Sequence, residues 1–120
     1  MTREDKELLL KDLSCRIPYG VIVNVNGISN VKLTSVSWYG EVGVDDGSTY
    51  LYPISEIKPY LFPLSSMTEY QEKECQQIKH SYYYDDDSFV LFDWYNKNHL
   101  DYCGLIEKGL AIDATNLNIY

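Results

Sequence analysis

Between Tyr19 and Leu61 the chain reads YGVIVNVNGISNVKLTSVSWYGEVGVDDGSTYLYPISEIKPYL. Val21, Val23 and Val25 alternate with Ile22 and Asn24, the period of a strand with one buried face. Asn26-Gly27 follows directly, and both residue types accept the positive φ of a tight hairpin. An Asn-Gly pair between alternating apolar runs commits the chain to an antiparallel hairpin, so the flanking segments must pack around a small sheet.

The second strand is expected from about Asn30 to Tyr39. Val31 and Leu33 share one face, Val36 and Trp38 the other, so the alternation slips by one near Ser35. A bulge or sharp bend there accounts for the slip. After Gly40 a third strand spans Glu41–Val44, Asp45-Asp46-Gly47-Ser48 is a turn, and a fourth strand spans Thr49–Tyr52. Pro53 to Pro59 reads as a single helical turn whose Ile54 and Ile57 plug one end of the sheet. Leu61–Leu64 is an apolar strap leading out. Curved strands closed by such a turn resemble the SH3-like barrels over residues 20–61, a likeness that bears on fold alone.

The flanks read as helices. Thr2 is placed to cap a helix to about Ser14, with Asp5 at the acid position of a capping box. Leu9, Leu10, Leu13 and Ile17 form its apolar stripe, and Pro18 ends it. Ser66-Met67-Thr68-Glu69 matches a second capping box, opening a mostly polar helix to about His80. A third helix, Phe89–Asn98, carries Phe89, Phe92, Trp94 and Tyr95 on a wide apolar face and is expected to dock on the sheet. Asp101 caps one more turn closed by Gly109, and Leu110–Ile112 is a short last strand. The fold class is therefore α+β: an N-terminal helix and a small curved antiparallel SH3-like sheet or barrel over 1–64, with a helical C-terminal subdomain over 65–120.

Net charge is -8, and most of it lies in residues 65–120, which hold ten acids against four lysines. Such a field repels phosphate backbones and anionic membranes. Nucleic acid is disfavoured as a partner, and a protein partner, basic where the acidic half is the contact, is favoured. The plain alternative is that the acids are solvated. Cys15, Cys75 and Cys103 are odd in number and widely spaced, which speaks against a disulfide framework or a cysteine zinc site and for a reducing, cytoplasmic setting. The opening residues do not read as a signal peptide, and no apolar run is long enough to cross a bilayer.

Three phrases carry a family resemblance: EDKELLLKDL with IPYGVIV, EIKPYLFPLSSMTE, and FDWYNKNHLDYCGLIEKGLAIDA. Over most of its length the chain resembles a family of small uncharacterised proteins from prophages and mobile elements of Bacteroidales. The resemblance implies a bacterial or phage cytoplasmic setting and an accessory role, with the strands as the variable part. It carries no catalytic residue across. Cys103 stands where the family usually has arginine, and Asn98, beside His99, where it usually has a histidine pair.

Several groups could carry chemistry. His99 with Asp101 or Asp93 is a candidate His–carboxylate pair for a small hydrolase, against the plain reading of a helix-end histidine and a capping aspartate. Asp85, Asp86 and Asp87 offer oxygen ligands to a hard divalent ion, against a solvated capping loop. No Cys–His pair is well aligned, and no cofactor signature is present. Trp38, Tyr39, Tyr50 and Tyr52 form the most informative group, an aromatic surface for binding a peptide, although half or more of these rings are expected in the core or against the Phe89–Asn98 helix. Tyr82, Tyr83 and Tyr84 are a second aromatic patch. The leading expectation is a non-enzymatic protein-binding accessory protein, with an acidic inhibitor or DNA mimic of a host factor as a special case. The alternatives are a small metal-dependent or His/Asp hydrolase and an assembly protein acting as a homo-oligomer.

Overall fold

The computed structural model describes residues 1–27, 29–81 and 88–120. Helix α1 (Arg3–Arg16) starts as expected: Thr2 Oγ1 accepts the Asp5 N–H at 3.1 Å. Strands β1 (Ile22–Val25) and β2 (Ser29–Val36) form the expected hairpin, with Asn26 at φ 53° and Gly27 at φ 72°. Strands β3 (Glu41–Val44), β4 (Leu51–Pro53) and β5 (Ile57–Pro63) follow, then helices α2 (Glu69–Ser81) and α3 (Ser88–Lys97). Two-residue strands β6 (Leu100–Asp101) and β7 (Ile112–Asp113) complete the order.

The sheet runs β4-β3-β2-β1-β5-β6, with β7 also on β5. All pairs are antiparallel except β6 and β7, which run parallel to β5. The α+β class holds, and the sheet is open. Its outer strands β4 and β6 are three and two residues long and do not pair with each other. The slip near Ser35 is a bulge: Leu33 pairs with Val44 but Ser35 with Gly43, leaving Thr34 as the extra residue. Gly43 lies so close under the bulge that a Cβ there would collide with Ser35 Oγ.

Three elements depart from expectation. The expected turn is the 3₁₀ turn Ile54–Glu56, and Ile54 and Ile57 are buried as expected, but residues 57–63 are not the end of that turn and a strap: they are β5, the strand that joins the two halves of the fold. Prolines 59 and 63 argue against a strand. β5 accommodates them because its partners are short and share its length: β1 covers Ile57–Pro59, β7 Tyr60–Leu61 and β6 Phe62–Pro63. The cap of α2 lies two residues later than expected. Thr68 Oγ1 accepts the Gln71 N–H (3.1 Å) and Gln71 Oε1 accepts the Thr68 N–H (3.0 Å), while Ser66 Oγ donates to the Pro63 carbonyl. Helix α3 docks on α2, α1 and β6 rather than across the strands. Its Phe89 is 85% exposed. Phe92 and Tyr95 instead both pack against Tyr102, at 5.2 and 5.3 Å between centroids, and against each other at 6.4 Å.

The main core joins Leu9 and Leu13 of α1, the inward residues of β1–β3, Ile54, Ile57 and Leu61, and Leu105, Leu110 and Ala111 from the C-terminal half. A second cluster forms around Cys75, Tyr95 and Leu100. The turn after β6 closes as expected. Asp101 accepts the N–H groups of Leu105 (2.8 Å) and Ile106 (2.9 Å), Gly109 has φ 75°, and Leu110 N–H returns to the Leu105 carbonyl, the bonding of a Schellman end.

The buried face of α1 is rotated from the expected stripe. Asp12 and Arg16 are buried with Leu9 and Leu13, while Leu10 and Ile17 are half-buried. Arg16 Nε donates to Asp12 Oδ1 at 2.5 Å, Nη2 to Asp12 Oδ2 at 3.1 Å and to the Leu100 carbonyl at 2.7 Å. The guanidinium carbon lies 5.1 Å from the centre of the Tyr102 ring. This buried ion pair, charge-assisted and stacked, links α1 to β6. Among the described residues no helix is long and apolar enough to cross a membrane.

Candidate functional site

The turn between β2 and β3 is held on both sides. Ser37 N–H donates to the Glu41 carbonyl (2.9 Å), Glu41 N–H to Ser37 Oγ (2.9 Å) and Gly40 N–H to the Ser37 carbonyl (3.1 Å). Ile54 N–H then donates to the Gly40 carbonyl (2.9 Å), tying the turn to the 3₁₀ turn Ile54–Glu56. Gly40, at φ 93°, takes a backbone angle that other residues rarely adopt. A braced turn is a rigid platform, and its tip presents two aromatic rings. Trp38 is 89% exposed and Tyr39 59%, with their rings edge to face at 5.5 Å.

Trp38 stands between two grooves. One, of about 810 Å³, runs along α1 past Leu8, Leu10, Cys15 and Val36. The other, of about 350 Å³, lies beside Tyr39, Pro53, Ile54 and the start of α1. Arg3, Lys6 and Lys11 line these grooves, and so do Glu4, Glu7 and Glu41. The face is thus apolar at its centre and charge-balanced at its rim, an arrangement typical of protein interfaces. The contribution of α1 was not legible in the sequence, where Leu10 read as core and the helix bases had no place in space.

Tyr50 (62% exposed) and Tyr52 (half-buried) make a second edge-to-face pair at 4.8 Å. The expectation that half or more of the four rings would be core, or contacts of the third helix, is therefore corrected. Only Tyr52 packs partly on the core. The reason is positional, since α3 lies on α2 and β6 and leaves the β3–β4 edge open.

The residues proposed for acid–base chemistry serve separate structural roles. Both oxygens of Asp101 accept backbone N–H groups, in the capping role expected of it. Asp93 accepts a hydrogen bond from the Tyr19 hydroxyl. His99 takes the left-handed backbone region at φ 57° and lies flat on Tyr120, with centroids 3.7 Å apart and planes 11° apart. Burial, and then the charge of Arg16, pushes its pKa down to about 4. No hydrogen bond joins the three side chains among the described residues. Burial, with a smaller effect from Asp12, pushes the Cys103 thiol up to about 11, which does not favour a thiolate. Tyr82, Tyr83 and Tyr84 and Asp85, Asp86 and Asp87 lie outside the described residues. Among the described residues no three His, Cys, Asp or Glu side chains gather as metal ligands.

Two features escaped sequence reading. The Asp12–Arg16 pair had one usable signal, its i,i+4 spacing on the face of Leu9 and Leu13. Tyr120 had none: its hydroxyl accepts the Ile22 N–H (2.9 Å) and donates to the Tyr60 carbonyl (2.8 Å). Ile22 and Tyr60 would be the next rung of the β1–β5 ladder after Val23 and Pro59, so the phenol substitutes for a ladder bond.

No family model, curated protein or solved structure matches this chain. The functional reading therefore rests on the residues and their arrangement.

Proposed function

We propose that this is a non-enzymatic protein-binding module, an accessory protein of a phage or mobile element acting in the cytoplasm, and that it grips its partner through the Trp38 face. One observation carries the reading: Trp38 is 89% exposed on a braced turn between two grooves. Leaving an indole in water has a substantial hydrophobic cost. Exposed aromatic groups of this kind mark interaction sites, and tryptophan and tyrosine dominate interface hot spots. The net charge of -8 fits a partner that is basic. The sequence resemblance supports the mobile-element setting.

Placing a photo-crosslinking residue at position 38 in cells of the native host tests the reading. A discrete crosslinked protein is expected from position 38 and none from position 70 on α2, where Tyr70 is also exposed. Crosslinks from position 70 alone, or from neither position, overturn it.

A further inference from the structure

We propose that Tyr50, Tyr52 and Asp46 form a recognition corner for an arginine side chain of the protein partner. The inference rests on the partner-binding reading and adds the chemistry of one contact.

Tyr50 and Tyr52 are two residues apart on an extended segment, so they share a face. Their rings meet at 64° with centroids 4.8 Å apart, giving two walls of a corner rather than a closed stack. Asp46 lies alongside, at the turn before β4. Its Oδ1 accepts from the Ser48 N–H (3.0 Å) and the Ser48 hydroxyl (2.7 Å), and its Oδ2 accepts from the Tyr52 hydroxyl (3.0 Å). These bonds, those of Ser48 first, hold the carboxyl below its usual range. All three donors are neutral, so they orient the carboxylate and leave its charge in place.

Among the described residues that charge has no ion-pair partner. No Lys or Arg occurs between Lys32 and Lys58, whereas Glu41, Asp45, Asp46 and Glu56 all do. The ion pairs among the described residues are Arg3–Glu7 and Arg16–Asp12, neither of which involves Asp46. The corner thus combines π faces with an oriented, uncompensated anion. A cation over a tyrosine face is attracted by the ring quadrupole. Guanidinium suits the site better than ammonium, because it is planar, weakly hydrated, and can stack on a ring while donating to a carboxylate. Complementary charge on the partner follows.

The test is a titration of the full chain with N-acetyl-arginine amide, followed through the ring resonances of Tyr50 and Tyr52. Saturable shifts of both rings are expected. Asp46→Asn and Tyr50→Ala, both at exposed positions, should each weaken binding about two- to fivefold with the rest of the spectrum unchanged. The neutral isostere N-acetyl-citrulline amide should leave the rings unmoved. Flat ring signals with arginine, or equal shifts with citrulline, overturn the proposal, and tighter binding of lysine amide or tetramethylammonium overturns its assignment to arginine. Each of these outcomes is independent of crosslinking at position 38, so failure of the corner and failure of the partner-binding reading are distinguishable.

Discussion

The His99 ring lies flat against Tyr120, 3.7 Å between centroids. The stack is one side of a seam that also contains Arg16, whose charge adds to burial in holding His99 neutral, with a pKa of about 4 against an ordinary 6.5. The unfolded chain therefore binds more protons than the folded one between those values. The stabilising contribution is complete above pH 6.5 and is lost as pH falls toward 4. Thermal melts across that window should show a falling midpoint. His99→Asn, which tolerates the same left-handed backbone, should flatten the slope. An unchanged slope in the variant would show that His99 does not titrate in this way.

Arg16 and Asp12 make a buried ion pair, and the worth of such a pair shows only when one partner is removed. Arg16→Ala leaves a buried carboxylate alone and should cost about 3–5 kcal/mol in urea unfolding. Asp12→Leu combined with Arg16→Met should recover most of that loss. Arg3→Ala, which opens the exposed Arg3–Glu7 pair, should change stability by less than about 1 kcal/mol. Equal effects for Arg3 and Arg16 would contradict the buried seam.

Asp101 separates the structural reading from the catalytic one. Its carboxylate caps two N–H groups, so Asp101→Ala should cost about 1–2 kcal/mol, while Asp93→Ala, at an exposed position, should be close to neutral. Urea midpoints for the two variants check this. A destabilisation at Asp93 as large as at Asp101 would be inconsistent with the observed bonding.

The three thiols should react in a set order. Cys15 is exposed, Cys103 is partly covered with its pKa raised to about 11, and Cys75 is buried in the second cluster. Iodoacetamide at mild alkaline pH should modify Cys15 first, and the other two only as the chain unfolds. Peptide mapping by mass spectrometry follows the sequence of events. Early labelling of Cys103 would contradict its environment.

Local signals carried much of this fold. Thr2, Asn26-Gly27 and Asp101 with Gly109 act through bonds within a few residues, and the slip near Ser35 within one pair of adjacent strands, so their consequences were legible without the tertiary structure. What was not legible depends on partners distant in sequence. Arg16 is buried because the Leu100 carbonyl and Tyr102 receive it, some 84 residues away. Prolines 59 and 63 fit in β5 because its neighbours are short and divided along its length. Trp38 stands out in the sequence as an aromatic candidate, but its exposure depends on where α3 docks, which the apolar pattern of α3 does not specify. A helix with an apolar face is bound to bury it, and the pattern alone does not name the surface that covers it.

The central claim is that Trp38 anchors a partner. Its most direct test is the affinity of the purified crosslinked partner for the wild-type chain and for Trp38→Ala, by calorimetry. A loss of about 2 kcal/mol or more, roughly thirtyfold, is expected, with the melting temperature of the free protein unchanged. Equal affinity for the two chains would contradict it.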